Sequence, residues 1–93
     1  MVANVQTSAD NDRSVRVRVR QILKDHGRLS VDVDNIDESA DLYQAGMTSH
    51  ASVNVMLALE GEFDVEFPDS MLKRSVFESV TSISDAVEEL LGA

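Results

Sequence analysis

The chain has no cysteine and no tryptophan among its 93 residues, and it contains a single proline. Without cysteine there can be no disulfide bond, no cysteine-ligated metal site and no thiol nucleophile supplied by the protein itself. The few aromatic residues are Tyr43, Phe63, Phe67 and Phe77. A core must therefore be built mainly from aliphatic side chains. A chain of this length forms one domain, too small for a typical enzyme with a closed cleft.

Long hydrophobic runs are missing as well. No apolar stretch is long enough to cross a membrane. The polar residues 1–12 lack the apolar segment of a signal peptide. We therefore expect a cytoplasmic protein in which residues 1–12 form a disordered N-terminal tail and residues 13–93 form a single domain.

Basic residues are scarce after the first quarter of the chain. Only Lys73 and Arg74 lie within residues 29–93, a segment that holds fourteen of the seventeen acidic residues, and the formal net charge of the whole chain is −9. Such an acidic body repels nucleic-acid phosphates and anionic lipid, which argues against both as partners. It favours protein partners with basic docking patches, although acidity can also serve solubility alone.

Hydrophobic periodicity predicts three main helices. Apolar residues recur at helical spacing in three segments, residues 14–26, 49–63 and 82–91. Pro68 breaks the chain direction and opens a short helical segment over residues 69–74, and Ser82 with Asp85 has the spacing of a capping box. The predicted fold is all-α: a bundle of three main helices plus one short helix, with a long first loop over residues 28–48.

The first of these segments fits two patterns. Valine alternates with arginine over residues 15–20, which is typical of a strand. The helical pattern is longer, continues through Leu23 and leaves only Val17 on the wrong face. An isolated pair of strands is marginal in water. We therefore predict a helix that Ser14 begins and Gly27 ends.

Catalysis and metal binding are both disfavoured by spacing. Ser49 and His50 are adjacent, and neighbours on a helix point about 100° apart, so His50 cannot easily act as a base for Ser49. A calcium loop beginning at Asp32 would need an oxygen ligand at its fifth position and a glycine at its sixth. Those positions hold Ile36 and Asp37. We predict neither an enzyme nor a metal site.

Two parts of the chain carry a family resemblance. They are residues 41–49, with the sequence DLYQAGMTS, and residues 55–69, with the sequence VMLALEGEFDVEFPD. In order and spacing they resemble the region around the modified serine of acyl carrier proteins. The resemblance implies a four-helix bundle and a 4′-phosphopantetheine arm on Ser49, transferred from coenzyme A by a phosphopantetheinyl transferase. It also implies that the thiol of the arm carries cargo as a thioester, which suits a chain without cysteine.

The flanks of the serine refine this resemblance. Thr48 and His50, which complete the predicted cofactor site with Ser49, stand where most carrier proteins have aspartate and leucine. Residues 45–53 and 63–69 are similar to small bacterial aminoacyl carrier proteins. That similarity implies an aminoacyl or short acyl cargo, an ATP-dependent ligase resembling a class II aminoacyl-tRNA synthetase, and a downstream acyltransferase or synthase.

Two alternatives stay open at this point. One is a type II acyl carrier protein for fatty-acid, polyketide or nonribosomal peptide synthesis. The other is an interaction module that carries no arm, which the unusual flanks Thr48 and His50 would permit. A hydrolase that uses Ser49 is disfavoured by the geometry given above.

The second predicted helix has more apolar surface than one core face needs. The predicted core face consists of Ser52, Val55, Leu59 and Phe63. A second stripe runs from Ser49 through Val53, Met56 and Glu60, with Leu57 beside it. We expect this stripe to be the docking surface through which a monomeric protein binds its partners.

Overall fold

The computed structural model describes residues 8–92 of the chain, which form four helices. These are α1 (Ser8–His26), α2 (Ser49–Phe63), α3 (Arg74–Phe77) and α4 (Val80–Leu90). Two 3-10 turns, Val33–Asn35 and Asp69–Met71, lie in the connections. Residues 8–92 contain no strand, and the predicted all-α bundle of three main helices plus one short helix is confirmed. No helix of this part of the chain is long and apolar enough to cross a membrane.

Helix α1 begins earlier than the periodicity predicts. Residues 8–12, expected to belong to the tail, are helical, so Ser14 lies inside the helix and does not begin it. The segment contains no glycine or proline that would stop a helix, and its polar residues give no periodic signal of one. The rest of the predicted tail, residues 1–7, lies outside the described residues.

The inner face of α1 agrees with the helical pattern and not with the strand pattern. Val15, Val19 and Leu23 are buried, whereas Val17 is 60% exposed. The helix ends at His26, as predicted, and the Gly27 amide donates a hydrogen bond to the Leu23 carbonyl at 2.8 Å. The strand alternative for this segment is therefore wrong.

The core lies where α1 packs against both α2 and α4, while α3 packs on α4. Its central side chains, all fully buried, are Val19, Leu23, Val55, Leu59, Ile83 and Val87. On α2 the buried positions include Ala51 and not the predicted Ser52, which is half-buried. The Ser52 hydroxyl donates to the Ser49 carbonyl at 2.7 Å. Alanine suits the core position better because its methyl group has no polar atom to satisfy.

The long first loop is held against the bundle by several hydrogen bonds. One guanidinium nitrogen of Arg20 donates to the carbonyls of Val33 and Ile36, at 2.7 and 2.9 Å. Further along, Leu42 is fully buried and its amide donates to the Glu78 carbonyl at 2.7 Å. These bonds satisfy loop backbone groups that have no helical partner.

The acidic residues of this loop stabilise its own turns. Asp32, Asp37 and Asp41 each accept a hydrogen bond from the amide two residues further along, at 3.0, 2.8 and 2.9 Å. The backbone and hydroxyl hydrogen bonds from Ser39 lower the pKa of Asp37 below its usual value, because they favour the carboxylate. Within residues 8–92, no three histidine, aspartate or glutamate side chains come together as metal ligands would.

Helix α4 begins three residues before the predicted capping box. Ser79 is the N-cap: its hydroxyl accepts from the Ser82 amide at 3.0 Å, and the Ser82 hydroxyl accepts from the Ser79 amide at 3.1 Å. Ser82 is therefore the third residue of the helix, and Asp85 is not part of the box. The prediction missed this because serine serves at both ends of the pair, where glutamate or glutamine is usual at the inner one.

Replacing Ser79 tests the importance of this cap. We expect Ser79→Ala to lower the free energy of unfolding by about 1 kcal/mol, because the Ser82 amide loses its acceptor. Urea unfolding followed by circular dichroism measures the change. Ser75→Ala, an exposed position on α3, is the matched control and should stay within about 0.5 kcal/mol of the parent. Equal losses in the two variants would contradict the assigned cap.

Candidate functional site

The turn that leads into α2 requires a glycine. Gly46 has a φ of +115°, and a Cβ atom there would lie 3.2 Å from the amide nitrogen and the hydroxyl of Ser30. Both of those Ser30 groups donate to the Ala45 carbonyl, at 3.0 and 2.9 Å. Met47, the next residue, is buried. The turn is thus fixed on both sides, and it sets where α2 begins.

Thr48 and Ser49 have different roles at this helix start. Thr48 is the N-cap, and its hydroxyl oxygen accepts from the Ala51 amide at 3.0 Å. Ser49 is the first helical residue and is exposed. Its hydroxyl has no hydrogen-bond partner within residues 8–92. Ser49 is therefore not a capping serine, and its oxygen remains available to a reagent from solvent.

His50 does not activate this hydroxyl. It is exposed, and its ring has no hydrogen-bond partner in the described part of the chain. A serine nucleophile needs a base within hydrogen-bond reach, and the base needs a group that orients it. The three residues of the predicted cofactor site therefore lie together at the start of α2 without forming a catalytic pair.

A groove beside Ser49 separates α2 from residues 72–77. Its volume is about 440 Å³, which lies within the range of small-molecule sites. Its lining residues are Tyr43, Ser49, Ser52, Val53, Met56, Leu72, Lys73, Arg74 and Phe77. The walls are thus partly apolar, with an exposed cationic side at Lys73 and Arg74. We call this space the serine groove.

The residues of the predicted docking stripe have different surroundings. Val53 and Met56 line the serine groove. Leu57, 55% exposed, instead lines a larger groove of about 640 Å³ between α1 and α2, which does not include Ser49. Glu60 is half-buried, and its carboxylate accepts from the Phe67 amide at 2.9 Å. The helical stripe therefore divides among three environments.

The sequence pattern missed one wall of the serine groove. Tyr43 comes from the first loop, and Lys73 and Arg74 come from the segment that precedes and opens α3. The Arg74 guanidinium lies over the Tyr43 ring at 4.0 Å. Lys73 and Arg74 form no ion pair with any residue of the described range. Lys73 and Arg74 are the only lysine or arginine residues within residues 29–93. This isolation in an acidic segment could have marked them as part of a site from the sequence alone.

The site and the bundle define a carrier protein. A family model described as "Phosphopantetheine attachment site" matches residues 17–90, and the chain belongs to this family. Its cofactor is accordingly 4′-phosphopantetheine. The structure fits that group: Ser49 offers an exposed hydroxyl, and the adjoining groove combines apolar walls with two cations.

Two curated relatives within this family are aminoacyl carrier proteins. The chain is 48% identical over 73 residues to the aminoacyl carrier protein of Agrobacterium fabrum (strain C58), which covers 78% of this chain and 88% of the relative. It is 32% identical over 73 residues to aminoacyl carrier protein 1 of Bradyrhizobium diazoefficiens, with coverage of 78% and 81%. The predicted resemblance to aminoacyl carrier proteins is confirmed.

Solved structures agree. One match is to a chain in the crystal structure of a complex. That complex contains an engineered Bradyrhizobium japonicum glycine:[carrier protein] ligase, carrier protein from Agrobacterium tumefaciens, and AMP. That match has a TM-score of 0.76 and 46% identity, and covers 78% of this chain and 97% of the other. A solution structure from Agrobacterium tumefaciens matches with a TM-score of 0.67 and 45% identity, covering 83% and 93%. The carrier-protein fold is confirmed by the first of these matches.

The roles of Thr48 and Ser49 can be separated by stability. We expect Thr48→Ala to lower the free energy of unfolding by about 1 kcal/mol, since the Ala51 amide loses its acceptor. Ser49→Ala should change it by less than about 0.5 kcal/mol, because the Ser49 hydroxyl stabilises nothing in the described chain. Denaturant unfolding of the unmodified proteins measures both. A larger loss in Ser49→Ala than in Thr48→Ala would reverse the assignment.

Glu60 should matter for folding in the absence of any partner. Glu60→Ala removes the carboxylate that binds the Phe67 amide, and we expect a loss of about 1–2 kcal/mol in the free energy of unfolding. Glu66→Ala is the control because Glu66 is exposed and its carboxylate has no hydrogen bond within residues 8–92. An unchanged free energy of unfolding in Glu60→Ala would show that the hydrogen bond between Glu60 and Phe67 does not stabilise the fold.

Proposed function

We propose that the protein carries an aminoacyl group on a 4′-phosphopantetheine arm attached to the hydroxyl oxygen of Ser49. The observation that carries this proposal is the exposed Ser49 hydroxyl, which binds no described residue while Thr48 caps the helix beside it. When bound, the group supplies a terminal thiol that holds cargo as a thioester, chemistry that a chain without cysteine cannot supply itself. The protein thus acts as a carrier and not as a catalyst.

The helix itself favours a phosphate at this position. α2 has fifteen residues, and Ser49 is the first of them. A negative charge at the amino end of a helix is favoured by about 0.3–1 kcal/mol at an exposed site. Because Thr48 caps without a charge, it adds no repulsion to an anion on Ser49. Val53 and Met56 extend an apolar surface away from the serine.

The cargo is proposed from the relatives. Two of them are named aminoacyl carrier proteins, and one matching structure is a complex that contains a glycine:[carrier protein] ligase. We therefore propose an amino acid as cargo and an ATP-dependent amino acid:carrier-protein ligase as the loading partner. A phosphopantetheinyl transferase would act before the ligase, and an acyltransferase or synthase after it.

The partner surface is proposed on the apolar side of α2. Val53 and Leu57 are 50% and 55% exposed, which is high for aliphatic side chains without a partner. The neighbouring acids are engaged within the chain: Glu60 binds the Phe67 amide, and Glu62 pairs with Arg18 at 2.8 Å. Contact with partners is therefore proposed to depend on Val53 and Leu57, with the overall acidity providing attraction from a distance.

Stepwise loading followed by intact mass spectrometry tests this function. The unmodified protein is incubated with coenzyme A and a phosphopantetheinyl transferase, and then with a ligase, ATP and each of the twenty amino acids. We expect a gain of one phosphopantetheinyl group, followed by a gain of one aminoacyl group that hydroxylamine removes as a thioester. Both gains should be absent in Ser49→Ala.

Ser52→Ala is the matched control, since Ser52 lines the same groove and its hydroxyl is bound to the Ser49 carbonyl. This variant should be modified like the parent. Attachment that persists in Ser49→Ala would refute the assigned residue. Normal attachment followed by loading with a fatty acid, and with no amino acid, would replace the aminoacyl cargo by the acyl alternative.

A further inference from the structure

We propose that Lys73 and Arg74 hold the phosphodiester of the arm within the serine groove. The proposal rests on attachment at Ser49, as argued above. Both cations line the same groove as Ser49, and they are the only basic residues among 29–93. In a body this acidic, two adjacent cations on the wall that faces the attachment residue mark a place where an anion is stabilised.

The two cations of the groove are unpaired, whereas three of the basic residues on α1 are paired with carboxylates. Arg16, Arg18 and Lys24 form ion pairs with Glu38, Glu62 and Asp34, at 3.3, 2.8 and 2.7 Å. Lys73 and Arg74 have no such carboxylate partner in the part of the chain that the structure describes. Adjacent unpaired cations repel each other, and a single anion between them removes that repulsion.

Arg74 is already positioned for such an anion. Its guanidinium lies over the Tyr43 ring at 4.0 Å. Stacking of this kind occupies the face of the guanidinium and leaves its in-plane N–H groups free to donate. A phosphodiester offers two oxygens that match the planar fork of arginine, while Lys73 supplies a compact charge. The loop residue Tyr43 thus holds the Arg74 guanidinium on the wall of the serine groove.

Charge also decides which part of the arm the groove holds. The phosphodiester is negative, whereas the free amino group of an aminoacyl thioester is positive and is repelled by Lys73 and Arg74. The groove therefore holds the phosphate end of the arm, beside the apolar surface of Val53 and Met56, and leaves the aminoacyl end outside. The larger groove between α1 and α2 does not include Ser49, so a phosphate bonded to Ser49 lies outside it.

Nuclear magnetic resonance of the unmodified and modified proteins tests the proposal without any loading reaction. Each sample is first confirmed by intact mass. On modification of the parent chain, we expect the ¹H–¹⁵N resonances of residues 72–77 to shift, including the Arg74 side chain, in addition to those next to Ser49. In Lys73→Gln/Arg74→Gln the fraction of held arm should fall about 2- to 5-fold, as expected for exposed charge pairs. The ³¹P resonance should then move toward that of an untethered diester.

Two further variants separate charge from structure. Lys73→Arg/Arg74→Lys keeps both charges and should retain the shifts of residues 72–77. Lys24→Gln/Arg28→Gln removes two cations away from the groove and should also retain them, although it breaks the Lys24–Asp34 pair. Added salt should weaken the shifts in the parent protein, because exposed charges are screened.

The outcomes distinguish this inference from the proposed function. A parent protein that gains no mass would overturn attachment at Ser49 and this inference with it. A parent protein that gains the phosphopantetheinyl mass but shifts only residues 48–53 would overturn the held phosphate alone. The same would follow if removing Lys73 and Arg74 left the shifts of residues 72–77 unchanged.

Discussion

The hydrogen bond from the buried Leu42 amide to the Glu78 carbonyl joins the first loop to the segment just before α4. Leu42 is fully buried, so loss of this bond would leave a peptide group unsatisfied in the core. The Leu42 carbonyl in turn accepts from the Met47 amide at 3.0 Å, just before α2. The residue after Leu42 is Tyr43, which stacks with Arg74. The Leu42 anchor therefore contributes both to the start of α2 and to the opposite wall of the serine groove.

The local chemistry at the start of α2 divides two tasks between neighbours. The first amides of a helix need an acceptor, and Thr48 supplies it to Ala51. The hydroxyl of Ser49, the next residue, accepts no such hydrogen bond, so it can be modified without loss of a structural bond. A threonine at the cap also gives the acceptor without a negative charge. The departure of Thr48 from the common aspartate thus keeps the cap and reduces repulsion toward an anion on Ser49.

The features that could be predicted from the sequence are those that depend on residues close together in the chain. The core faces of the main helices depend on periodicity along short segments, and Ser49 depends on a contiguous motif, so both are visible in the chain itself. Residues 8–12 carry no periodic signal, because they contain a single apolar residue, Ala9. The hydrogen bond between Glu60 and Phe67 depends on the turn that follows α2. Ser49 and Lys73 line the same groove only because segments far apart in the chain pack together. The contiguous motif therefore predicted the attachment residue, whereas spacing along one helix did not reveal the groove beside it.

The acidic residues and the two groove cations act over different distances. The many acidic residues of the body act together and attract a basic partner from a distance, an effect that salt weakens because the screening length is about 8 Å at physiological ionic strength. Lys73 and Arg74 are too few to reverse that field. In the proposed arrangement they act at contact distance, on an anion that a covalent bond to Ser49 would keep beside them. Because such an anion cannot diffuse away, a weak exposed interaction is sufficient to orient it, and the cationic end of an aminoacyl cargo would remain outside and accessible to partner enzymes.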